Sequence, residues 1–168
     1  MYNKEAVSQP IEAILKKARR WCGQQERCTY DLSLRLIQWG CPRQKVADIL
    51  KQLTEEGFTD DRRFAGLFAE GKFHVLKWGK IKIAQELRRR KIDETSILLA
   101  LENISQEEYE TTLRKIIRRR QEILRGQDAV AMRQKIIRFL LSKGYETHLV
   151  YRLTGCDAVN TDTEQIYD

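Results

Sequence analysis

The chain has 168 residues, 42% apolar and 33% charged, with 31 Lys and Arg against 24 Asp and Glu and a formal net charge of +7. That length suits one or two small domains, and nine glycines with two prolines supply too few turns for an all-β fold. No apolar run of about 18 residues is present, which excludes a membrane span, and the basic excess points to a polyanionic partner or an acidic protein surface.

Helices with clear caps follow in chain order. Pro10 suits a first helical turn, and Ile11, Ile14, Leu15 and Ala18 then fall on one face. Thr29 is the expected cap of a second helix carrying Leu32, Leu36 and Trp39, stopped by Gly40. Pro42 opens a third, with Val46, Ile49, Leu50 and Leu53 inward and Gly57 after its end. The pattern restarts at Thr59 or Asp60, ahead of Phe64, Ala65, Leu67 and Phe68. Gly79 precedes a helix with Ile83 and Leu87, and Asp93 caps one with Ile97, Leu98 and Leu101. A third start is Ser105, which forms a capping box with Glu108. That long helix sets Tyr109, Leu113, Ile116, Ile117 and Ile123 on one side. Asp128 caps a helix with Met132, Ile136 and Leu140 that ends at Gly144, and Leu149, Val150 and Leu153 complete a last short one before Gly155.

Nine helices in three trios suggest an internal repeat. Leu36, Leu87 and Leu140 each stand four residues before a helix end at Gly40, Lys91 and Gly144. Val46, Ile97 and Val150 follow those ends at one fixed offset, and Ile49, Ala100 and Leu153 at another. The expected fold is all-α, an elongated array of three tandem three-helix repeats at 10–58, 59–104 and 105–154. A flexible N-terminus at 1–9 and an acidic flexible tail at 155–168 flank it. The tail holds Asp157, Asp162, Glu164 and Asp168 without a Lys or Arg, so 1–154 carries +11.

No catalytic constellation stands out. P-loop, GxGxxG, GxSxG and HExxH patterns are absent. His74, near a helix end, reads as a partly buried structural residue. Cys22, Cys28, Cys41 and Cys156 have irregular gaps and no CxxC; they read as reduced thiols of a cytoplasmic protein, not as zinc ligands. The first seventeen residues lack the apolar core of a secretory signal. Asp60 and Asp61 have the residue types of a magnesium site, but their place in a first helical turn explains them as caps. No catalytic residue, metal or cofactor is expected.

Two basic clusters carry more information. Arg88, Arg89 and Arg90 close the fifth helix before Lys91. On the seventh, Arg114, Lys115, Arg118 and Arg119 lie away from the apolar face, with Arg120 near its edge. These cations suit phosphates or an acidic partner. The few aromatics form no strand-borne platform for stacked bases.

The segments GFTDDRRFAGLFAEGK at 57–72 and GKIKIAQELRRRKID at 79–93 resemble the RecX family of bacterial recombination regulators. The matching residues are Gly57, Phe58, Asp60, Asp61, Arg62, Phe64 and Ala65, then Gly79, Ile83, Glu86 and Leu87. The resemblance covers roughly 10–154 and is strongest in the middle. Lys91 stands where the family usually has Gly, which predicts a helix end of slightly different form, and Lys80 stands where Pro is common. The resemblance implies a non-enzymatic, all-α, cytoplasmic monomer. Such a protein lies along the groove of the RecA filament on single-stranded DNA, its positive residues meeting acidic RecA surface, bound DNA or both, and modulates RecA, most often by inhibition. A stand-alone helical DNA-binding protein is the alternative reading, and a nuclease using Asp60 and Asp61 a more distant one.

Overall fold

The computed structural model describes residues 11–155. The expected flexible start at 1–9, Pro10, and all of the expected acidic tail except Gly155 lie outside the described residues. Nine α-helices and no strand occur among them: α1 (Ile11–Gln24), α2 (Thr29–Gln38), α3 (Arg43–Glu55), α4 (Asp61–Leu76), α5 (Lys80–Arg89), α6 (Glu94–Glu102), α7 (Gln106–Ile123), α8 (Ala129–Ser142) and α9 (Thr147–Thr154). The fold is an all-α array of tandem three-helix repeats.

The caps explain most boundaries. Asp60 accepts from the Arg63 N–H at 2.9 Å, and Asp93 from the Ser96 N–H at 2.9 Å. Asp128 accepts from the Val130 and Ala131 N–H groups at 3.1 and 2.9 Å. Ser105 caps α7, but the Glu108 carboxylate faces His74 at 3.3 Å. One expected cap shifts: Cys28, not Thr29, is the N-cap of α2, its Sγ accepting from the Asp31 N–H at 3.4 Å.

The repeat has a local signature at the ends of α2, α5 and α8. Gly40, Lys91 and Gly144 all take left-handed backbone, with φ of 85°, 57° and 83°. In each case that residue's N–H bonds three residues back, and the next N–H reaches the carbonyl of Leu36, Leu87 or Leu140 at 3.0, 3.2 and 3.2 Å. This is the Schellman pattern, whose last carbonyls are satisfied without water. The three leucines are fully buried, and Cys41, Ile92 and Tyr145 just past the caps are buried as well. Lys91 therefore forms the same helix end as the two glycines. The different ending expected there does not occur, because the 6→1 bond and the burial of Ile92 hold the lysine in left-handed space.

The described residues divide into two compact units, one of 11–68 with Glu86–Ala100, the other of Ala69–Gln85 with 101–155. The division runs through α4 and α5. The first unit's core joins Ile14, Ala18 and Cys22 of α1 to Leu32, Leu36, Ile49 and Leu53, with Trp21 and Trp39 packed edge-to-face at 6.0 Å beside it. In the second, the rings of Phe73, Tyr109 and Tyr145 stack in series at 5.6 and 5.2 Å. Leu67, Leu98 and Ile123, expected inward, are exposed. The i, i+4 row Ala65, Ala69 and Phe73 takes the inner face of α4, Ile97 and Ala100 that of α6, and Ile123 stands in the last turn of α7.

Candidate functional site

The signature segment is built into the scaffold. Phe64 and Ala65 are buried, with Phe68 5.6 Å from Phe64. Asp60 caps its own helix, whereas Asp61 reaches across the first unit. Its carboxylate accepts from the Thr29 N–H at 2.8 Å and from the Thr29 hydroxyl at 2.6 Å. The amide of Thr29 is among the orphan donors of the first turn of α2, so Asp61 caps a helix other than its own. Both carboxylates are committed to helix ends, and no group of three potential metal ligands occurs among the described residues. Arg62 is exposed, and its neighbour Arg63 forms a bidentate pair with Glu26 at 2.8 and 2.9 Å.

Gly79 and Leu87 are structural as well. A β-carbon on Gly79 would overlap the carbonyl of Gly144, and the Gly79 N–H donates to Lys143 O at 2.8 Å. The next N–H, that of Lys80, donates to the Tyr109 hydroxyl at 2.9 Å, which itself donates to Glu146 at 2.7 Å. A proline at position 80 would have no such donor. Burial pushes the Tyr109 phenol far above its ordinary range, which keeps the relay neutral at its centre.

The two basic clusters differ. In the run that closes α5, Arg88 to Arg90, every arginine has a partner. Arg88 grips Glu94 in a fork at 2.7 and 2.9 Å, which holds that carboxyl below its ordinary range. Arg89 meets Glu86 at 2.7 Å. Arg90, 28% exposed, bonds Glu86 at its carbonyl and carboxylate, lies 3.5 Å from Asp31, and stacks over Phe68 at 5.0 Å. Arg90 is a tether within the first unit; the open cation expected there is drawn in because the ring and two carboxylates surround it.

On α7, Arg114 lies 3.8 Å from Glu110, which also takes Arg152 at 2.8 Å. Lys115, Arg118 and Arg119 are exposed, and among the described residues none has a carboxylate within ion-pair distance. The structure thus gathers three unpartnered cations on one helix face of the second unit. Arg120 instead stacks on Phe139, 3.6 Å from the ring centre; its place at the apolar edge was the one sign of this in the sequence. His74 is exposed beside Glu108, which corrects the expected partial burial: its ring meets only the edge of Phe73.

Repeated three-helix units with matching caps and an unpaired cationic face on α7 define a tandem-repeat helical protein. Two family models match this chain: "RecX, second three-helix domain" over residues 60–101 and "RecX, third three-helix domain" over 107–153. Together they cover more than half of it, and the chain belongs to the RecX family.

Relatives agree. "Regulatory protein RecX" of Thermobifida fusca (strain YX) is 29% identical over 112 residues, which is 67% of this chain and 60% of that protein. The protein of the same name from Amycolatopsis mediterranei (strain U-32) is 25% identical over 146 residues, 84% of this chain and 83% of its own. The crystal structure of RecX from Lactobacillus salivarius superposes with a TM-score of 0.77 at 15% identity, covering 86% of this chain and 94% of that one. A second, described as the crystal structure of regulatory protein RecX, gives 0.75 at 24% identity over 94% and 81%. The structural likenesses establish the fold. No helix among the described residues is long and apolar enough to cross a membrane.

Proposed function

We propose that this chain is a non-enzymatic, cytoplasmic regulator that acts as a monomer. It docks into the groove of the RecA filament on single-stranded DNA and inhibits the filament's ATP hydrolysis, strand exchange and recombination. The observation that supports this reading is the trio Lys115, Arg118 and Arg119, unpaired on α7, in a chain of a family whose named members are regulatory proteins. A tandem-repeat protein suits a repetitive filament, because contacts to successive protomers add through effective concentration. The α7 cations meet acidic filament surface, bound DNA, or both.

The test adds the protein to RecA and measures DNA-stimulated ATP hydrolysis and strand exchange. A pull-down with RecA accompanies it, with and without single-stranded DNA and a slowly hydrolysed ATP analogue. Capture that needs the assembled filament, with both activities reduced, is expected. Flat assays combined with tight, sequence-dependent binding to bare duplex would turn the reading toward a stand-alone DNA-binding protein. Magnesium-dependent strand cleavage lost in Asp60→Asn would turn it toward a nuclease.

A further inference from the structure

A cleft of about 330 Å³ opens in the second unit where α4 ends beside the later turns of α7 and α8. Its apolar lining is Leu76, Ile116, Ile123 and Phe139. Two of these are notably open to water for their size: Ile123 is 63% exposed and Leu76 40%. Its polar lining is Lys77, Arg119, Arg120 and Lys143, with no carboxylate. None of the four is in an ion pair among the described residues. Cations at helix C-termini are favoured locally, which accounts for Lys77 and Lys143 taken singly. It does not account for exposed apolar side chains within a ring of unpaired charge.

The walls are fixed in place. The Lys143 ammonium donates to Leu76 O at 3.2 Å, and the Tyr145 hydroxyl to Lys77 O at 3.3 Å. Lys77 is itself held in left-handed backbone at φ 53°. Arg120 covers a face of Phe139, so the only ring in the cleft already has a stacking partner. The remaining floor is aliphatic.

We infer that this cleft is a docking site for an acidic peptide segment of a partner protein, an apolar side chain seated on Leu76, Ile116 and Ile123 and flanking carboxylates paired with Arg119, Lys77 and Lys143. Charge complementarity selects the acidic partner, and the aliphatic floor selects a peptide over a nucleic-acid strand, whose bases seek open aromatic faces. The site goes beyond the RecA reading and does not rest on it.

The test is fluorescence anisotropy of a short labelled peptide, a central leucine–phenylalanine pair flanked by glutamates, titrated with the full chain. Saturable binding is expected. It weakens at least tenfold when serines replace the apolar pair, a comparison that needs no protein variant. Arg119→Glu weakens it at least tenfold and Ile123→Ser at least threefold, with helicity unchanged by circular dichroism, while Lys115→Glu, outside the cleft, changes it less than twofold. Equal affinity for the serine peptide, equal loss in Lys115→Glu, no saturable binding, or displacement of the peptide by a tighter-binding oligothymidine each overturns the proposal. RecA inhibition is measured separately, so either reading can fail alone.

Discussion

Asp61 completes a helix it does not belong to, accepting both the backbone N–H and the hydroxyl of Thr29 while it stands in the first turn of α4. Its neighbour Asp60 performs the ordinary local cap. Replacing Asp61 by Ala strands two partly buried donors of Thr29, and hydrogen bonds to a charged group contribute about 1.5–3 kcal/mol each. Asp61→Ala should cost about 2–3 kcal/mol in urea unfolding, against about 1 kcal/mol for Asp60→Ala. The reverse order would contradict the cross-sequence cap.

The two glycine-related positions have opposite signs. Lys91→Gly relieves left-handed strain that costs a non-glycine residue about 1 kcal/mol, so it should raise stability by several tenths of a kcal/mol or more. Gly79→Ala drives a β-carbon into the Gly144 carbonyl and should cost more than about 2 kcal/mol. Unfolding midpoints of the two variants, with unchanged slope, check both.

The Tyr109 relay is tested by removing one oxygen. Tyr109→Phe leaves the Lys80 N–H and the Glu146 carboxylate without their partner. A cost of about 1–3 kcal/mol is expected, the range for an orphaned buried polar group. Hydrogen exchange should quicken first at the Lys80 amide; an unchanged rate there would count against the bond.

Acid should expose one surface pair. Arg19, with help from Gln52, holds the Glu56 carboxyl at about 2, against an ordinary value of 4.5. A folded value below the unfolded one contributes stability that is complete above about pH 4.5 and lost as pH falls through about 2. Urea midpoints followed from pH 6 to 2 should fall over that window, and Glu56→Gln should flatten part of the fall. An identical profile in the variant would remove Glu56 as a contributor.

The two cationic clusters should differ in binding. Lys115→Glu with Arg118→Glu reverses unpaired charges, so it should weaken RecA-filament binding strongly. It should also lower the salt slope by about 0.7 for each single-strand phosphate that is no longer neutralised. Arg88→Glu with Arg89→Glu disturbs cations already neutralised by Glu94 and Glu86, and its effect should be smaller. Both variants should keep their helicity, because exposed charges contribute little to stability. Unchanged affinity and slope for the α7 pair would leave these residues as a solvated face.

Helix ends were legible in the sequence wherever a residue acts on its immediate neighbours: Ser105, Asp93, Asp128, Gly40 and Gly144 each cap or stop as their chemistry dictates. The repeat was legible for the same reason, since a leucine four residues before a stop is a local pattern. Asp61, Tyr109 and Arg90 were not. Arg90 has a local partner in Glu86, but Asp31 and Phe68, like Thr29 for Asp61 and Glu146 for Tyr109, lie far along the chain, and no spacing rule connects an acid in one first turn to the amide of another. Lys91 shows the converse. A lysine reads locally as a poor left-handed residue, and only the burial of Ile92 after it reveals why the backbone turns there all the same.

The close approach of Gly79 to the Gly144 turn bears on how the array can be cut. A chain ended after residue 104 would lose Tyr109, Lys143 and Gly144, and with them the acceptors for the amides of Gly79, Lys80 and Ile81. The first turn of α5 would then stand open to solvent. Phe73 would lose the Tyr109 ring that packs against it. Shortened forms, and chimaeras that borrow a trio from a relative, should therefore carry 69–85 and 101–155 together, because these segments form a compact unit that crosses the repeat boundaries.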